Sequence, residues 1–229
     1  MTFATDRWED YAAPELVVHL LHDAIGTPFL LLTGPEPDRR WEAVTAAVRA
    51  LVERWGVRLT IGFHGIPMGV PHTRKLSVIS HATRPELVTE PSPFNRVQVP
   101  GHLSALIELR LGEAGHDAMG FAAYVPHYLA QGAYPAASLA VLEAIMKSTG
   151  LAAKAGELRA LAERTNAEIA GKVAESDEVS QVVAALEQQY DAFMSSSENL
   201  LVAEGEDVPS ADELGAELER FLAEQQRDH

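Results

Sequence analysis

At 229 residues, 47% hydrophobic and without cysteine, the chain is long enough to bury a core unaided, and disulfides, thiol nucleophiles and Cys-ligated metal centres are excluded. Its formal net charge of −15 is concentrated at one end: residues 151–229 hold 18 acidic against 6 basic side chains, whereas residues 1–150 hold 15 against 12. Such a surface repels phosphate backbones and anionic bilayers, so neither nucleic acid nor membrane is an expected partner. No apolar run reaches the roughly 20 residues of a bilayer span and no charged-then-apolar leader opens the chain, which fits a cytoplasmic protein.

Residues 15–21 and 28–33 read as strands, the second too apolar to alternate, as in a strand covered on both faces. The second ends in Gly34-Pro35-Glu36-Pro37-Asp38, with Asp38 placed to cap the helix that follows. In that helix, across 39–55, Trp41, Val44, Val48, Leu51, Val52 and Trp55 recur at helical spacing, and Gly56 stands in the terminating position. Strands over 57–63 and 76–82 are joined by Gly65 to Arg74, too rich in Gly and Pro for a crossover helix. Pro85, Pro91, Pro93 and Pro100 make 84–100 an irregular excursion. A helix then opens at Gly101 and closes at Gly112 and Gly115, a buried strand covers 117–125, and a helix from Pro135 stops at Gly150. This alternation predicts an α/β fold: a mainly parallel sheet built from all five strands, with flanking helices.

After Gly150 only helical patterns remain: 156–173, then a helix from Ser176-Asp177-Glu178 through Phe193 that pairs with it. A linker over 195–209 leads to a capping box, Ser210 to Glu213, and a last helix bearing Leu214, Leu218, Phe221 and Leu222. The expected division is an α/β core, 1–150, and an acidic C-terminal helical tail, 151–229.

Open α/β sheets place ligands at the carboxyl ends of their strands, which singles out Gly34 and Glu36 after one strand, His64, Gly65, Pro67 and Met68 after the next, and His127 and Tyr128 after the last. The turn 33–38 lacks the Lys of a phosphate loop and the three glycines of a dinucleotide turn, and its acids repel phosphate. There is no G-x-S-x-G elbow. His64, His72, His81 and His127 lie near strand ends without any fixed ligand spacing, and His19 and His22 would face opposite sides of a strand. No catalytic residue, metal or cofactor is assigned.

The segments Phe29-Leu30-Leu31-Leu32-Thr33-Gly34-Pro35-Glu36-Pro37, Gly62-Phe63-His64-Gly65-Ile66-Pro67-Met68, Gly115-His116-Asp117-Ala118-Met119-Gly120-Phe121 and Val125-Pro126-His127-Tyr128-Leu129, with Tyr134-Pro135-Ala136-Ala137, together resemble the actinobacterial branch of the proteasome assembly chaperone family, type two. Leu186-Glu187-Gln188-Gln189-Tyr190-Asp191 and Leu214-Gly215-Ala216-Glu217-Leu218-Glu219 are similar to its helical tail. The resemblance implies a core like the nucleoside-phosphorylase type of sheet, no established enzymatic reaction, and self-association. Relatives that dock on proteasome α-rings end in a hydrophobic residue, Tyr and any residue, whereas this chain ends Arg227-Asp228-His229, so docking through that end is not expected. The start at Met1 resembles the middle of the family's first strand–helix unit, which implies a unit missing or a start recorded late, with apolar sheet surface left for a second copy to cover.

The leading expectation is therefore a non-enzymatic, chaperone-like homo-oligomer that binds another protein, with proteasome subunits in view. The Trp8 to Leu21 segment or the core helices would form the interface between copies. The alternative is a nucleoside-like small-molecule binder or enzyme using the cleft of 33–38, 64–72 and 126–128, where only Arg74, Lys75 and Arg84 offer positive charge.

Overall fold

The computed structural model describes residues 1–88 and 97–202 of the chain. Pro91 and Pro93 of the proline-rich excursion, and the capping box with its last helix, lie outside the described residues.

A short hairpin that the sequence does not announce opens the fold: β1 (Thr2–Ala4) pairs antiparallel with β2 (Arg7–Asp10), and the Phe3 and Trp8 rings meet edge-on at 5.0 Å. The strands β3 (Val17–His22) and β4 (Pro28–Thr33) lie where periodicity puts them, but they pair antiparallel as a hairpin of their own rather than joining one five-stranded sheet. The turn between them favours this pairing: the Asp23 carboxylate accepts the N–H groups of Ile25 and Thr27 at 3.0 and 2.8 Å. Its other oxygen accepts from Ala152 N–H at 2.9 Å, and Ala24 donates to the Ala152 carbonyl, so the hairpin is clipped to the core through its turn.

The helix α1 (Trp41–Trp55) follows β4 and ends at Gly56, as expected. Its cap position belongs to Arg40, in a left-handed conformation without a side-chain bond, and not to Asp38. Instead the Trp41 indole N–H donates to the Pro37 carbonyl at 2.6 Å and fixes the entry of the chain.

The central sheet has the order β5 (Thr60–Met68), β7 (Ala118–Pro126), β6 (Val78–Ala82). β5 runs parallel to β7, with Thr60 opposite Ala118 and Met68 opposite Pro126, while β6 runs antiparallel to β7. Among the described residues the sheet is thus mixed and not mainly parallel. A parallel return needs a crossover of a dozen or more residues, and the connection from β5 to β6 contains no helix. β5 also extends through Gly65, Ile66 and Pro67, which the sequence assigns to a loop; it is an edge strand, where a proline need not donate to a ladder.

Two helical layers flank this sheet. On one face Met119, Phe121 and Ala123 pack against Tyr134, Ala137 and Val141 of the segment leading into and forming α3 (Pro135–Thr149). On the other, Ala118 packs with Leu103, Ile107 and Leu111 of α2 (Leu103–Glu113) and with Val52 of α1. α4 (Gly156–Ala174) lies on α3, and α5 (Asp177–Val202) packs on α4. α5 continues across 195–202, where a linker was expected.

Candidate functional site

Because β5 and β7 are parallel and in register to their ends, the loops that leave them lie side by side. Loop 69–74 turns inward at Pro71 and His72, which are buried. The His72 backbone N–H donates to the Tyr128 hydroxyl at 2.9 Å, and the His72 ring Nδ1 lies 2.8 Å from the same oxygen. The Tyr128 hydroxyl thus serves both the backbone and the ring of His72, while the ring's Nε2 is buried with no partner among the described residues. Burial holds the His72 pKa below its ordinary value, which keeps the ring neutral. Tyr128→Phe leaves the buried N–H without an acceptor; we expect a loss of about 1–2 kcal/mol, read by thermal melting.

The next two residues of the loop hold α5. The Thr73 hydroxyl donates to Glu187. The Arg74 guanidinium grips Asp191 with two bonds, at 2.9 and 2.8 Å, and reaches Glu187 at 3.2 Å. This partnership holds the Asp191 carboxyl below the usual carboxylate range. Tyr190 donates to the Lys75 carbonyl at 3.1 Å. α5 is thereby drawn across the strand ends, and between it and the 3-10 turn His127–Leu129 lies a groove of about 400 Å³ lined by His127, Tyr128, Glu178, Val179, Val182 and Val183. The other side of Tyr128 borders a second hollow of about 280 Å³ with Tyr134, Ile169 and Lys172.

A second cluster sits under the start of α2. The His64 and His102 rings lie 4.3 Å apart, and His81 Nδ1 pairs with Glu108 at 2.8 Å. Two glycines make room for it. A Cβ on Gly62 would come within 2.1 Å of the Ser104 hydroxyl, and one on Gly120 within 2.1 Å of the His81 ring. The α2 N-terminus is already occupied, since Leu103 N–H donates to Glu36 and Ala105 N–H to His102 Nδ1. The Glu108 hydrogen bond raises the His81 pKa, whereas desolvation, then repulsion from His102 and His81, lowers that of His64.

A raised folded pKa gives stability that is fully present below the unfolded value of about 6.5 and is lost as pH rises through the folded pKa. We therefore expect the melting-temperature difference between wild type and Glu108→Gln to be largest below about pH 6.5 and to shrink above it. A difference that stays constant from pH 5 to 9 would contradict this pairing.

The eight sequence-derived candidates fall into separate settings. His64 and Met68 point to the α2 face of the sheet, and Gly65 and Pro67 to the α3 face. Glu36 caps α2. Gly34, with φ 147°, lets the chain pass so close that a Cβ would lie 2.3 Å from the Glu15 carbonyl. Only His127 and Tyr128 line the groove beneath α5. Sequence reasoning missed His72, Glu187 and Asp191 as a unit; the signal was a single Arg in a Pro-Gly loop and an acidic i, i+4 pair far along the chain.

The architecture is matched elsewhere. The family model of the PAC2 family matches residues 1–173, from β1 almost to the end of α4. The chain belongs to the PAC2 family. Among solved structures, this PAC2 protein is similar to a Mycobacterium tuberculosis protein of unknown function, Rv2714, at 46% identity and a TM-score of 0.81, over 88% of this chain and 69% of that one. A Corynebacterium glutamicum protein of unknown function is 35% identical, with a TM-score of 0.74, over 80% of this chain and 74% of that one. The M. tuberculosis proteasome-assembly chaperone homologue Rv2125 is 23% identical, with a TM-score of 0.66, over 74% and 73%. That last likeness shows the fold alone. No curated protein matches the chain. Among the described residues no helix is long and apolar enough to cross a membrane.

Proposed function

We propose that this PAC2 protein is a non-enzymatic, chaperone-like protein of the cytoplasm that binds another protein, a proteasome subunit being the first to test, through the strand-end loops and an acidic tail beginning near residue 151. The observation that carries this reading is α5 pinned by Arg74 across the ends of β5 and β7, which joins loop 69–74, the turn at 127–129 and the tail into one face. Family membership supports it. Affinity capture with the full chain from native lysate is expected to recover proteasome subunits, and a thermal-shift screen with nucleosides, phosphate and divalent cations is expected to be flat. Steady turnover of a defined small molecule, with no protein recovered, would overturn the reading.

Self-association belongs to the same reading. Phe3, Trp8, Leu20, Leu21, Leu30 and Leu32 are exposed on the two N-terminal hairpins, and two-stranded hairpins are marginal in water by themselves. A second copy covering them accounts for both facts, with the acidic tails facing outward. Light scattering at micromolar concentration and moderate salt is expected to give a multiple of the 24.8 kDa chain mass; a concentration-independent monomer would refute this.

A further inference from the structure

We infer that the groove between the 127–129 turn and α5 is a docking site for a segment of another protein that carries an apolar side chain flanked by Lys or Arg. The inference rests on the protein-binding reading above and names the chemistry of the partner.

The floor of the groove is aliphatic. Val179 and Val182 on α5 are 45% and 52% exposed, although they lie on the same stripe as Val183, which is buried. Its volume of about 400 Å³ is that of small binding clefts in general, about 300–1,000 Å³. His127, Tyr128 and Glu178 are the polar groups around it, and Tyr128 already spends its hydroxyl on His72. With so few free polar groups, the groove has little to orient a small polar ligand and much to bury an apolar side chain.

Charge decides the occupant. Glu178 lines the groove, with Asp177 beside it at the start of α5 and Glu175 just before, whereas Glu187 further along is already held by Thr73 and Arg74. The chain's own residues 203–229 hold nine acidic against two basic side chains, so charge disfavours them as the filler. A second copy meeting this face through its own equivalent face brings the same negative charge to the same place. A basic, apolar segment from a different protein satisfies both the floor and the rim, with the charges setting orientation and association rate.

The test is an array of random nine-residue peptides probed with the labelled full chain. Bound peptides are expected to be enriched in Leu, Ile or Phe flanked by Lys or Arg, with acidic peptides excluded. Val182→Asp, at an exposed helix position where the fold tolerates charge, is expected to weaken binding at least about tenfold while leaving the melting temperature within a few degrees. Glu178→Lys is expected to relax the preference for basic flanks. Binding without charge or apolar bias, or undiminished by Val182→Asp, would overturn the groove as the site. A proteasome subunit captured equally by wild type and Val182→Asp would also overturn it while leaving the protein-binding reading standing.

Discussion

Gly120→Ala is expected to be the most destabilising single-methyl change in the sheet, at about 3 kcal/mol, or a fall in melting temperature of roughly 6–12 °C. Gly120 lies on β7, the central strand, with Gly62 opposite on β5 and His81 opposite on β6. An added Cβ would stand 2.1 Å from His81 Cε1, 2.5 Å from its Nε2 and 2.9 Å from Glu108 Oε2. Neither partner can retreat freely, because each is held by the other through the 2.8 Å bond. The methyl group must therefore break the pair or lift α2 from the sheet. A double-mutant cycle separates these: adding His81→Ala to Gly120→Ala should recover part of the loss, because the clash is then relieved. A fully additive cycle would show that the glycine is needed for some other reason.

Arg74→Glu is expected to release α5 while leaving the core folded. The substitution replaces a guanidinium that serves two carboxylates by a third carboxylate beside them, so attraction at 2.8 and 3.2 Å becomes repulsion. Amide exchange across 177–195 should accelerate about tenfold or more, with little change in β7 and α3, and protease should cut α5 first. The reciprocal change, Asp191→Arg in the Arg74→Glu background, should restore much of the protection. Unchanged exchange in α5 would mean that its contacts with α4 hold it without the latch. Because α5 forms one wall of the groove, the same variant is expected to lose the partner.

The helices were legible because their boundaries are written in local chemistry. Gly56 and Gly150 end α1 and α3 with left-handed residues, Pro135 opens α3, and Ser176 stands immediately before α5. Strand positions were legible from apolar runs; their partners were not. A six-residue apolar strand such as β4 carries no mark of whether its neighbour is β3 or the central sheet; here it pairs with β3 across the Asp23 turn. The same limit hid the site. His127 and Tyr128 could be named from their place after a buried strand, but the hydrogen bond from His72, 56 residues away, and the grip of Arg74 on Asp191, 117 residues away, are products of tertiary structure. Glu36 was misleading for a related reason: a carboxylate at a strand end looks the same in sequence whether it meets a ligand or, as here, caps a helix.

The chain's lysines report on the proposed partner-binding face. Lys75 lies beside the α5 latch and Lys172 beside the hollow next to Tyr128, whereas Lys147 ends α3 and Lys154 lies in the turn before α4. Lysine-directed cross-linking of the full chain in native lysate, read by mass spectrometry, is the most direct test. Links from Lys75 and Lys172 to another protein are the predicted result. Links to other proteins confined to Lys147 and Lys154, or none at all, would contradict it.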